Sequence, residues 1–234
     1  MPDKETSAIA AQLAALVADL EQRTVSVDTG MAELVDSALR HVPGGQYAGI
    51  TLAHSDTGID TVGATHHYPV VLDKIQQRYQ EGPCVAAAWN HHTMRIDDMS
   101  TEQRWPTYCR DAAEQTPIRS ILSFELFTNT SGMAALNFFA EQPHAFGEEA
   151  EELGAIFAAH VALAWTMLRR DEQFRGALAS RDVIGQAKGI IMERFHVDSV
   201  QAFELLKHLS QDTNIKLVDM AQRLIAADHP SQDI

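Results

Sequence analysis

Cys84 and Cys109 are the only two cysteines in the chain, and Cys84 follows Gly82-Pro83 where a helix can begin. A thiol at a helix N-terminus is drawn toward its thiolate, which would suit redox sensing or catalysis. The bland alternative is a small buried hydrophobe, a common use of cysteine. Adjacent histidines stand at His66-His67 and His91-His92. Neighbours point apart on a helix or a strand, and helical zinc sites favour a spacing of four, so no metal is expected. His91 and His92 could serve as bases only if the fold brought them close. No particular cofactor is indicated. A second constellation is basic: Arg181 and Lys188 lie seven apart, as do Lys216 and Arg223. Seven residues are two helical turns, so each pair shares a side and could meet phosphates or loop bases, with Gln186, Asn214 and Gln222 adding hydrogen bonds to unstacked bases. No aromatic platform is evident on those faces, which argues against capture of a long single strand.

The elements that carry these bases are three short helices. Ile184, Ala187, Ile191 and Phe195 recur at helical spacing over 177–195. Gly185 and Gly189 would each weaken an isolated helix by about 1 kcal/mol relative to alanine, which a close helix crossing would explain. Asp198 and Gln201 bracket a capping box for a second helix with the stripe Ala202, Leu205, Leu206, Leu209. After the polar break Ser210 to Asn214, Thr213 or Asn214 can cap a third helix, whose apolar side is Leu217, Met220, Ala221, Leu224 and Ile225. Six bases balance six acids over 177–226, whereas residues 1–176 hold twelve Lys plus Arg against twenty-four Asp plus Glu. The acidic part is not expected to bind nucleic acid or an anionic membrane nonspecifically. A neutral, salt-bridged surface is the competing reading of the six bases.

The run Arg181-Asp182-Val183-Ile184-Gly185-Gln186-Ala187-Lys188-Gly189-Ile190-Ile191-Met192-Glu193-Arg194, with Ala202-Phe203-Glu204-Leu205-Leu206, Ser210 and Lys216-Leu217-Val218-Asp219-Met220-Ala221, resembles the ANTAR domain over about fifty residues in one register. The resemblance implies an RNA-binding module without catalysis, which stabilises tandem hairpins in a nascent transcript and so prevents a terminator from forming. Ile215 and Val218 stand where that family often has arginine, and His196 where glycine is usual.

Upstream the pattern is mixed. A helical region over 6–41 precedes strands at 47–53 and 59–65, joined by Ser55-Asp56-Thr57-Gly58. Leu122, Phe124 and Leu126 alternate with polar residues, as do Ala134, Leu136 and Phe138 beyond the turn Asn129-Thr130-Ser131-Gly132, which makes a second hairpin. Helices are expected near 70–80 and 105–114, giving an α+β fold: an antiparallel sheet flanked by helices. Glu81-Gly82-Pro83-Cys84, Arg104-Trp105-Pro106, Ile118-Arg119-Ser120 and Gly132 to Phe139 resemble the GAF domains found ahead of ANTAR segments in actinobacterial proteins. That resemblance covers roughly 25–168 and implies a sensory domain for a small ligand that it does not name.

Leu153, Phe157, Val161, Ala164, Trp165 and Leu168 line one side of a helix expected from 147, and Phe174 and Leu178 continue the stripe. This spacing suits the seam of a parallel homodimer; it also suits packing on the chain's own sheet. The organisation read from the sequence is an N-terminal helical segment at 1–24, a GAF-like domain at 25–168, a linking helix at 147–178, an all-α three-helix ANTAR-like domain at 177–226, and a polar tail at 227–234. The start of the chain shows no secretory leader, and the apolar run from Leu153 to Leu168, sixteen residues that include His160 and Gly154, falls short of the roughly 20 that span a bilayer. A cytoplasmic protein with reduced thiols is expected, with RNA as partner and no membrane. Two other readings stay open: a protein-interaction signalling module, and a thiol-dependent GAF reductase using Cys84.

Overall fold

The computed structural model describes residues 11–228 apart from 12, 21–22, 24–25, 55–57, 84–92 and 130–131. Cys84, His91, His92, parts of both hairpin turns and most of the polar tail lie outside the described residues. The chain divides into two compact units, residues 1–169 and 170–234.

The first unit is built on a five-stranded antiparallel sheet in the order β2-β1-β5-β4-β3. Its strands are β1 (Tyr47–His54), β2 (Gly58–Val62), β3 (Thr93–Ile96), β4 (Ser120–Asn129) and β5 (Gly132–Ala140). Both expected hairpins form, β1 with β2 and β4 with β5, and β1 joins them by pairing with β5 from Tyr47↔Phe139 to His54↔Gly132. Gly132 opens β5 at φ +148°, where a side chain would also collide with the Ala53 carbonyl of β1. The strict alternation expected of β4 breaks at a bulge between Glu125 and Phe127, so that Leu126 and Phe127 both pack against the same core.

Period-two alternation sends the strands' apolar residues to two faces. On one face, Ile50, Leu52, Leu122, Phe124, Leu136 and Phe138 meet α1 (Val27–His41) and the first part of α4 (Glu148–Phe195). Ser26 caps α1 by accepting from the Thr29 N–H at 3.2 Å. On the other face, Ile96, Ile121 and Phe139 meet Leu72 and Ile75 of α2 (His67–Tyr79) and Tyr108, Cys109 and Ala112 of α3 (Pro106–Gln115). Pro106 starts α3, and the Glu81 carboxylate accepts from the Thr107 and Tyr108 N–H groups at 3.2 and 3.3 Å.

Six of the eight residues expected in a dimer seam belong to this core: Leu153, Phe157, Val161, Ala164, Trp165 and Leu168 are buried in one cluster with the chain's own sheet, α1 and the preceding Leu13, Val17 and Leu20. Helical spacing identifies a buried face without saying what buries it, and here a sheet supplies the partner. α4 is seated closely: a methyl on Gly154 would overlap the Phe124 ring. α4 is also the one helix among the described residues long and apolar enough to cross a membrane. Its apolar stretch is buried in this core only in part, 44% of it lying inside the structure.

The helices expected at 147–178 and 177–195 run as a single element of 48 residues. No proline interrupts that span, and its central residues favour helix, with Arg175 reaching back to Asp171 at 3.6 Å. In the second unit, residues 170–195 of α4 join α5 (Ser199–Thr213) and α6 (Leu217–Asp228). Asp198 and Gln201 form the expected capping box. Asn214 ends α5 in the left-handed region at φ 52°, rather than beginning α6. Its backbone N–H is taken by carbonyls of the preceding turn.

Candidate functional site

The second unit closes on a small core in which alanines do the close packing. Ala187, Ala202 and Ala221 are fully buried with Leu206, and Ile191 and Met220 are nearly so. Gly185 and Gly189, expected at a helix crossing, have open space where a side chain would be. The methyl of Ala187 is the residue that α5 and α6 close upon, so the glycines lie on faces the core does not use. Three residues expected in the buried stripes stay exposed: Phe195, Leu205 and Leu209. The core of three short helices is satisfied by one or two side chains per turn.

The seven candidate contact residues take these positions. Arg181, Gln186, Asn214, Lys216, Gln222 and Arg223 are exposed, and Lys188 is half-buried with its ammonium 5.9 Å from the centre of the Phe203 ring. Phe203 escaped the sequence reading because it follows Ala202 and lies beside, not on, the apolar stripe. The six bases divide in a way that counting charge hides. Arg194 is paired to Asp228, and Lys207 to Glu204 at 3.3 Å. Arg181, Lys188, Lys216 and Arg223 have no acidic partner among the described residues. Asp198, meanwhile, is committed to the N–H groups of Val200 and Gln201. A segment neutral by count over 177–226 thus presents four cations without acidic partners among the described residues.

A family model for the ANTAR domain matches residues 172–225, and one for the GAF domain matches residues 24–166. The chain belongs to the GAF-domain family, with an ANTAR domain following. An ANTAR domain is an RNA-binding antitermination domain and a GAF domain is a sensory one, so the architecture is that of a GAF–ANTAR regulator. No curated protein matches the chain. Among solved structures, the GAF domain of an Acinetobacter phosphoenolpyruvate-protein phosphotransferase is 12% identical, covers 73% of this chain and 99% of its own, and superposes with a TM-score of 0.52. A free methionine-R-sulfoxide reductase from Neisseria meningitidis is 13% identical over 73% of this chain and 96% of its own, with a TM-score of 0.50. A bacteriophytochrome from R. palustris is 9% identical over 77% of this chain and 41% of its own, with a TM-score of 0.56. At such identities the likeness is one of fold.

In the GAF unit the sequence reading missed a buried polar cluster between α2 and the sheet. The Asp73 carboxylate accepts from Thr51 at 2.8 Å, Thr61 at 2.7 Å and Gln76 at 3.0 Å, and Asn137 donates to the Thr51 hydroxyl at 2.7 Å. Its signal was an aspartate and a glutamine at i and i+3 among Pro69, Leu72 and Ile75, on what is otherwise an apolar helix face. The nearby Ser123 hydroxyl, cross-strand from Asn137, is buried with no hydrogen-bond partner among the described residues. Cys109 is buried, and loss of solvation, followed by the negative charge of Glu102, pushes its thiol up to about 12. Such a thiol is expected to react with iodoacetamide at pH 8 at least tenfold more slowly than a free cysteine, because the thiolate is the reactive form. Peptide mapping after a timed pulse would check this; labelling of Cys109 at the rate of free thiol would overturn it.

Proposed function

We propose that this GAF–ANTAR regulator is a cytoplasmic homodimer that binds tandem hairpins in nascent leader RNA and acts by antitermination, under control of a small signal at its GAF domain. The observation that carries the reading is the set of four bases, Arg181, Lys188, Lys216 and Arg223, left without acidic partners among the described residues on a segment, 177–226, that is neutral by count. Unpaired cations on helical faces attract phosphates, and Gln186, Asn214 and Gln222 stand exposed on the same unit to hydrogen-bond loop bases. Homodimerisation is assigned to α4 beyond the GAF core, where Phe174 and Leu178, one turn apart, are 69% and 51% exposed. Two linked heads then engage two hairpins, the second at high effective concentration. For the GAF unit, the unpartnered Ser123 hydroxyl supports a ligand with polar groups. The chain acts as a regulator and not as an enzyme in this reading.

The test is equilibrium binding to an RNA with two short hairpins, against a single-hairpin control, over a series of salt concentrations. Preference for the tandem RNA that weakens with salt is expected. Lys188→Ala should weaken binding several-fold and reduce the slope of log affinity against log salt by about one counterion. Unchanged affinity and slope would remove Lys188 from the interface. A second reading, capture of a protein partner by the same unit, is favoured by the exposed Phe195, Val200, Leu205 and Leu209. Salt-insensitive binding to protein without RNA affinity would support it.

A further inference from the structure

Asp73 sits in the middle of α2 with only 3% of its surface exposed. A carboxylate in such a place is ordinarily matched by a cation or a metal. Here its partners are neutral: Thr51 and Gln76 donate to Oδ1, and Thr61 donates to Oδ2. The titratable groups on the elements packed around it are His67, Tyr68, Lys74, Arg78 and Tyr79 of α2, Tyr47 and His54 of β1, Asp60 of β2, and Tyr108, Cys109, Arg110, Asp111 and Glu114 of α3. β5, reached through Asn137, carries none. None of these groups makes an ion pair or a hydrogen bond with Asp73, and His54 and Arg110 face other carboxylates, Asp60 at 3.6 Å and Asp111 at 3.0 Å.

The donors differ in freedom. The Gln76 amide can only donate through its nitrogen, and the Thr51 hydroxyl already receives the Asn137 amide, so Oδ1 is fixed as an acceptor. The Thr61 hydroxyl, on the edge strand β2 and partly open to solvent, can turn round: it donates to an ionised Oδ2 and accepts from a protonated one, passing its own hydrogen to water. The network therefore accommodates a proton on one oxygen atom, reached from solvent through one side chain.

We propose that Asp73 is a proton-operated latch of the GAF unit: with a proton on Oδ2 the neutral network fastens α2 to β1 and β2, and loss of that proton leaves an unmatched buried charge that loosens α2 from the sheet. Burial, only partly offset by the three donors, pushes the Asp73 carboxyl up to about 7, so the latch works near neutrality. Because the folded value lies above the ordinary 3.8, the latch holds fully in acid. It weakens as pH rises from about 4, and levels off above about 7. The inference concerns the GAF unit alone and does not depend on RNA binding.

The test uses the full chain. Hydrogen exchange of the β2 and α2 amides, corrected for intrinsic base catalysis, should show opening that rises with pH by up to tenfold per unit between about 5 and 7 and then levels. Asp73→Asn, which keeps the donors' partner and removes the titration, should make opening independent of pH. The Asp73 carboxyl carbon, followed by NMR in the unaltered chain, should titrate near neutrality; this reading stands even if the variant does not fold. Titration in the ordinary aspartate range, or the same pH-dependent opening in Asp73→Asn, would overturn the proposal.

Discussion

Phe157→Ala is expected to destabilise the GAF unit by about 4 kcal/mol, the cost of removing a fully buried aromatic ring whose space cannot collapse. Phe157 lies at the centre of the cluster joining α4, α1 and the sheet, and its ring stacks on His41 with centroids 5.6 Å apart. For a unit of this size a loss of that order lowers the melting temperature by roughly 10 °C. Calorimetry on the variant measures this directly. The same variant discriminates between the two fates of the stripe on α4. Core packing predicts a lower melting temperature with the oligomeric state unchanged below it; a seam predicts dissociation with little change in unit stability. A melting point within a degree of the parent would show that Phe157 is not core.

Phe174→Glu combined with Leu178→Glu should do the reverse. Both side chains are exposed and touch no core cluster, so the fold should lose little. Two carboxylates one turn apart on a paired helix would repel their copies and hydrate a surface that must dry to associate. Sedimentation equilibrium is expected to show a monomer. Affinity for the two-hairpin RNA should fall by about 10²-fold or more, because the second contact would no longer be intramolecular, while single-hairpin affinity stays within about threefold. Retention of both the dimer mass and the tandem preference would place the seam elsewhere.

The contrast between these variants shows where the sequence is explicit. Leu122 and Phe124 against Leu136 and Phe138 declare a hairpin because a period of two has one physical meaning, a half-buried strand between turns. Asp198 and Gln201 announce a helix start because their reciprocal bonds are local. The stripe from Leu153 to Leu168 states that a face is buried, yet a sheet and a second helix ask the same spacing of it. Gly185 and Gly189 were ambiguous for a related reason: a missing side chain marks either close contact or open space, and here it is open space. Asp73 was invisible as a site because its partners come from β1, β2 and α2, a convergence that only the folded chain creates. At His196 the resemblance was more informative than the residue: the chain turns through φ 52° there, which accounts for glycine being usual.

The seating of Gly154 against Phe124 bears on how a signal could leave the GAF unit. Helices that work as pistons need a smooth bearing surface. α4 instead is keyed, since a screw advance of one residue, about 1.5 Å along the axis with about 100° of turn, would bring Leu153 or Ala155 to the place where even a methyl overlaps the Phe124 ring. Within its own unit the helix behaves like a shaft held by a key in a slot. That screw motion is opposed unless the Phe124 ring turns aside, and what remains for communication is a change in how firmly the slot grips.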